Sequence, residues 1–123
     1  MCTSVPMASS SQGIHENEQA LSARTKDLHR ALVSLQEELE AIDWYQQRFE
    51  ATEDPELKEI LAHNRDEEKE HAMMLLEWLR RKDVAFARMI RMHTGHSGPI
   101  VSEGEEEEAS GEADVEGRAS KGE

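Results

Sequence analysis

The apolar positions of this chain recur at alternating steps of four and three. From Leu57 this seam runs through Leu61, Asn64, Glu68, His71, Leu75 and Trp78, with Glu68 and His71 interrupting its apolar character. That 3.5-residue period marks a helix packed lengthwise against a partner helix. An earlier stretch, from about Ser22 to Glu50, repeats it with Ala31, Leu35, Glu38, Ile42, Tyr45 and Phe49. No Gly or Pro interrupts this stretch, and Glu, Gln, Arg, Leu and Ala, all good helix formers, dominate it. Asp54 is a good N-cap and Pro55 suits a first helical position, so a second helix starts there. It runs to about Lys82, with Arg80, Arg81 and Lys82 at its negative end. Val84 to His93 reads as a short third helix, stopped by Gly95 and Gly98-Pro99.

The turn between the two long helices is only about four residues, so they fold back as an antiparallel hairpin. The expected fold is all-α: a two-helix hairpin with a short C-terminal helix. Each long helix buries a single stripe, and two stripes cannot enclose a core. Pairing of two hairpins about a two-fold axis completes a four-helix bundle.

Two seam positions are acids, which is costly unless they are paired or hold a metal. Glu68 and His71 stand three residues apart on one helical face. Glu-x-x-His pairs of this kind bind metal in di-iron bundles. Glu38 lies about as far before the turn as Glu68 lies after it, so at ~1.5 Å per residue they reach the same height. Glu38, Glu68 and His71 form half of a carboxylate-bridged di-metal set, and a second chain would supply the other half. A seam histidine merely hydrogen-bonded to neighbouring acids is the competing explanation.

Composition narrows the alternatives. A length of 123 residues suggests one small domain, and 33% charged against 4% aromatic residues leaves little to bury alone. A net charge of −13 argues against a nucleic-acid partner. Apolar runs are too short for a membrane span. The single Cys2 excludes an internal disulfide and fits a reducing compartment. Residues 1–21 read as a disordered leader, residues 22–100 as the helical domain and residues 101–123 as a disordered acidic tail. Met1 to Gly13 lack the apolar core of a secretory signal, so a cytoplasmic protein is expected; Met7 is an alternative start. From Ser102 on, nine acids stand against Arg118 and Lys121, giving −7 of the −13.

Several blocks carry a family resemblance. Glu37-Glu38-Leu39-Glu40-Ala41, Asp43-Trp44-Tyr45, Asp54-Pro55-Glu56-Leu57 and Leu61 through His71 are similar to the encapsulated ferritins. Leu75-Leu76-Glu77-Trp78-Leu79-Arg80-Arg81 and Gly98-Pro99-Ile100 continue the likeness, which spans roughly Thr25 to Ile100. The resemblance implies a half-ferritin whose dimers build an annular decamer housed in an encapsulin shell. It also implies a di-iron ferroxidase site between two chains, oxidising Fe²⁺ to Fe³⁺ with O₂. Glu38, Glu68 and His71 would be iron ligands, with Tyr45 close by. Glu37 and Glu40 would form a metal-access site, with Trp44 restricting passage. Family members usually end in a short apolar targeting peptide, and none is recognisable here.

Read without the resemblance, Glu37, Glu40 and Trp44 share a stripe roughly 100° round the helix from Glu38. Two acids one turn apart can hold Ca²⁺ or another hard divalent ion through oxygen, and a solvated charged face explains them equally well. Tyr45 fits an amphipathic core position. His63, Glu67, Glu70 and Met74 form a polar stripe at an interface or surface, while His29, His93 and His96 show no convincing ligand spacing and read as solvated. Two rival functions remain at this point. One is a structural helical module that mediates oligomerisation; the other is a rubrerythrin-like or di-manganese enzyme handling peroxide. The lack of a Cys-x-x-Cys pair argues against rubredoxin-type electron delivery.

Overall fold

A computed structural model describes residues 13–101 of the chain. The expected disorder of residues 1–12 and of 102–123 lies outside the described residues. Helix α1 spans Ala23–Ala51, α2 spans Pro55–Lys82 and α3 spans Val84–His93; no strand occurs among the described residues. The chain divides into two compact units, one through Leu79 and one from Arg80.

In the first unit, local chemistry sets each helix end. Ser22 Oγ accepts a hydrogen bond from the Thr25 N–H at 3.1 Å and caps α1. A 3₁₀ turn, Glu18–Ala20, precedes it inside the stretch expected as leader; Asn17 Oδ1 caps it through the Gln19 N–H at 3.0 Å. Helix α1 ends where Thr52 turns extended, and a following proline keeps Asp54 from continuing it. Asp54 Oδ1 then accepts from the Leu57 N–H at 2.9 Å, while Thr52 Oγ1 accepts from the Asp54 N–H at 3.3 Å. Three residues, Thr52 to Asp54, therefore both stop α1 and start α2.

Contacts between the helices step outward from this turn, as an antiparallel hairpin requires. The Lys58 ammonium donates to the Phe49 carbonyl and sits 4.5 Å from the Phe49 ring centroid. Further out, Arg65 donates to Gln46 at 2.7 Å with its guanidinium 5.2 Å from the same ring. Next comes His71, whose Nδ1 lies 3.6 Å from Glu38 Oε2. Phe49 thus receives two cations from successive turns of α2, each worth about 0.5–1 kcal/mol at a partly exposed ring.

The core is slight. Only Ala31, Leu61, Ala72 and Leu79 are buried among the described residues, while Leu32, Leu39, Ile60, Met73 and Met74 are exposed. Leu57, a seam position by its spacing, is also 43% exposed, because a single neighbouring helix covers only one side of its stripe. No buried side-chain polar atom among the described residues lacks a partner.

The second unit joins the last turn of α2 to α3. Asp83, extended at φ −130° and ψ 111°, caps α3 through the Phe86 N–H at 3.0 Å. Thr94 ends the helix in an extended conformation, and Gly95 follows at φ 76°, a left-handed value that glycine adopts without strain. No helix among the described residues is long and apolar enough to cross a membrane.

Candidate metal centre

Three side chains predicted from spacing come together at one level of the hairpin. Glu38 projects from α1; Glu68 and His71 project from α2, one turn apart. One donor atom from each lies within 4.8 Å of the other two. His71 Nδ1 is 3.3 Å from Glu68 Oε2 and 3.6 Å from Glu38 Oε2. Two carboxylates therefore converge on a single ring nitrogen, which can donate at most one proton between them. The side chains are 25%, 21% and 43% exposed for Glu38, Glu68 and His71 respectively. The cluster is thus neither solvated freely nor sealed.

Such a donor set suits a metal cation. Two anionic oxygens and an imidazole nitrogen fit Fe²⁺ or Mn²⁺, since carboxylate and imidazole ligands both suit such ions. Oxygen ligands about 2.1 Å from a small divalent ion lie up to about 4.2 Å apart, so a slight rotamer adjustment closes the cluster. Three donors leave an ion short of a full shell. No other group of three or more His, Cys, Asp or Glu side chains forms such a cluster among the described residues.

Neighbouring charges stay outside the cluster. Asp66 donates nothing to it: Arg65 and Lys69 bind its Oδ1 at 3.0 and 3.3 Å. The Arg65 hydrogen bonds, and then that of Lys69, hold the Asp66 carboxyl below the usual carboxylate range. Asp66 in turn raises the Arg65 guanidinium above its ordinary value. His63 pairs with Glu67 at 2.9 Å on the exposed side of α2.

The remaining residues singled out from sequence lie along α1. Glu37 is exposed and Glu40 half-buried, and no third carboxylate or imidazole clusters with them among the described residues. Trp44 is 48% exposed and, with Gln47 and Arg48, lines an open cavity of about 280 Å³. Tyr45 sits two turns from Glu38, about 10 Å along the axis. The Arg48 guanidinium lies 5.7 Å from its ring centroid. The Phe49 cluster was missed from sequence, although Lys58 and Arg65, one heptad apart on α2, offered a signal for it.

The profile of the EncFtn-like family matches residues 13–96, covering both long helices and α3. The chain belongs to the EncFtn-like family. This EncFtn-like chain is 56% identical over 96 residues to an "Encapsulated ferritin-like protein" of Rhodospirillum rubrum. That match covers 78% of this chain and 69% of the relative. It is 47% identical over 97 residues to a "Ferritin-like protein" of Thermotoga maritima, covering 79% and 83% respectively. Among solved structures, a crystallised protein from Nitrosomonas europaea superposes with a TM-score of 0.70 at 57% identity. It covers 72% of this chain and 98% of its own. The antiparallel helical hairpin expected from the seam and the short turn, which the family resemblance made a half-ferritin, is the fold of this EncFtn-like chain.

Proposed function

We propose that this protein is a ferroxidase whose di-iron site is completed between two chains. The observation that carries the reading is the convergence of Glu38, Glu68 and His71 from two helices on one point. Family membership supports iron as the metal, through the ferritin-like character of the relatives. A two-fold pair of hairpins would offer four carboxylates and two imidazoles to two Fe²⁺ ions. The exposed Leu32, Leu39, Ile60, Met73 and Met74 leave apolar surface for such pairing.

Iron is substrate here, and this chain's residues bind and orient it. Clustered anionic ligands favour Fe³⁺ over Fe²⁺, since the higher charge is better matched. Two Fe²⁺ would give up two electrons, which O₂ would accept with two protons to leave as hydrogen peroxide, while the shared carboxylates would hold the two irons close together. Tyr45, on the Glu38 face, would lie beside the paired site. Glu37 and Glu40 would pass Fe²⁺ inward or hold Ca²⁺, with Trp44 narrowing the path.

The wider setting is read from the relatives. Dimers assembled into an annular decamer would oxidise iron inside an encapsulin nanocompartment of the cytoplasm, whose outer shell would hold the ferric product; the description of the Rhodospirillum rubrum relative, "Encapsulated ferritin-like protein", supports the encapsulation. Stopped-flow absorbance at the ferric band, with Fe²⁺ and O₂ added to metal-free protein, tests the activity. Saturable oxidation that vanishes in Glu68→Gln supports it. Oxidation no faster than in buffer refutes it and returns the hairpin to a structural role. Metal analysis after iron-supplemented expression separates iron from manganese.

A further inference from the structure

The stretch from Arg80 to Val101 carries charge opposite in sign to the chain as a whole. Arg80, Arg81, Lys82, Arg88 and Arg91 stand against a single acid, Asp83, a net +4 in a chain of net charge −13. All five cationic residues are exposed. Helix ends account for some of them: Arg80, Arg81 and Lys82 close α2 and Arg91 closes α3, each at a negative pole. Arg88 belongs to no last turn. It shares one exposed side of α3 with Val84 and Arg91, at steps of four and three, while Phe86, Ala87 and Ile90 are half-buried. No acid stands between Asp83 and Glu103.

Beyond Val101 the sign reverses. From Ser102 on, nine acids stand against two cations, with Glu105 to Glu108 in one run. The EncFtn-like match ends at residue 96, before this block begins. The path of the backbone sets where the block starts. Gly95 turns at φ 76°, His96 Nε2 comes to 2.8 Å from the Arg91 carbonyl oxygen, and His93 Nδ1 to 3.3 Å from the Ile100 carbonyl oxygen. Ile100 therefore lies beside the last residue of α3, and the acidic block sets out from there. Glu105 to Glu108 follow Ile100 by five to eight residues, a reach of about 17–26 Å when extended. Helix α3, at ten residues, is ~15 Å long. The run is long enough to lie along all of it.

We propose that the acidic run Glu105–Glu108 docks on the Arg88 and Arg91 side of α3 in its own chain. One exposed ion pair contributes little, but here several act together. A tether of a few residues also sets an effective concentration in the millimolar range. A separate anion or a second chain at micromolar concentration lacks that advantage. Screening fixes the character of the contact: the Debye length falls from about 10 Å at 0.1 M salt to about 3 Å at 1 M, so docking holds in dilute salt and releases in strong salt. Docked, the run covers the basic side that any other polyanion would use.

The test uses the full metal-free chain carrying Cys2→Ser and Ser110→Cys, with a nitroxide on the single thiol. Tethering alone keeps the label near α3 at any salt, so the salt-dependent part of the broadening is the signal. The amide resonances of Val84 to His93 should be broadened at about 50 mM salt and recover at least about twofold in intensity at about 1 M. Replacing Glu105, Glu106, Glu107 and Glu108 by Gln should remove that recovery, as should Arg88→Gln with Arg91→Gln. The tail substitutions leave every residue of α3 in place, so they decide the matter if the arginine pair loses helical content. Equal broadening at both salt concentrations overturns the proposal, and so does a salt-dependent part that survives the four Gln substitutions. Isotope-labelled chains without nitroxide are also mixed with unlabelled chains that carry it. Their α3 amides should stay sharp; undiminished broadening there would mean docking between chains and would overturn the proposal equally.

Discussion

His71 and Glu38 stand on opposite arms of the hairpin, yet Nδ1 of one is 3.6 Å from a carboxylate oxygen of the other. Glu68, one turn from His71, lies 3.3 Å from the same nitrogen. Nδ1 has one proton to give and hydrogen-bonds Glu68, so Glu38 gains none from it. A cation satisfies all three groups at once, and this is why the cluster reads as a metal centre rather than a structural knot.

That reading predicts a shared phenotype for three substitutions. Glu38→Gln, Glu68→Gln and His71→Ala should each remove interface iron and weaken association, since metal binding and assembly are linked by mass action. Each removes a ligand while leaving the four buried residues untouched. Iron counted by plasma mass spectrometry, alongside sedimentation, measures both effects. Retention of iron by any one variant removes that residue from the ligand set.

Much of this centre was legible in the sequence because a long hairpin obeys simple arithmetic. The 3.5-residue seam placed Glu38, Glu68 and His71 on facing stripes, and matching distances of Glu38 and Glu68 from the Thr52–Asp54 turn brought them level. The caps at Asp54 and Pro55 fixed the turn. What escaped was chemistry without a period. The 3₁₀ turn at Glu18–Ala20 is a single turn closed by the Asn17 side chain, too short for any periodic pattern to register. The double approach of Lys58 and Arg65 to Phe49 depends on how long cationic stems bend, which spacing does not encode.

Glu37, Glu40 and Trp44 should behave differently from the cluster. Replacing both acids by Gln should leave the interface iron in place while altering how fast iron enters. Trp44→Ala should speed oxidation of added Fe²⁺, since a half-exposed indole would narrow the path rather than bind metal. Slower oxidation in an intact assembly would refute a gating role. The same stopped-flow trace with Tyr45→Phe tests whether that hydroxyl contributes; unchanged kinetics would remove Tyr45 from the chemistry.

Phe49 offers a test of the hairpin itself. Phe49→Leu keeps an apolar side chain but deletes the ring over which Lys58 and Arg65 sit. The loss should be about 1–2 kcal/mol, two cation–π contacts at a partly exposed ring. Urea denaturation of metal-free protein at fixed concentration measures it. A change under about 0.3 kcal/mol would mean that the two cations are held by their hydrogen bonds alone.

Asp66 provides a pH signature separate from the metal centre. Its carboxyl is held below the usual range by Arg65 and Lys69. Its pairing therefore contributes stability above the ordinary carboxylate pKa, and that contribution is lost as pH falls through the lowered one. Asp66→Asn should lower stability at neutral pH and converge with the parent in acid. Parallel curves at every pH would contradict the pairing.

The central claim, that two chains share one di-iron site, is tested most directly by native mass spectrometry of protein loaded anaerobically with Fe²⁺. Metal-free chains should associate as iron is added, and the resulting species should hold even numbers of chains with two irons for every two chains. Monomers at saturating iron, or monomers each retaining their own ion, would contradict the shared site.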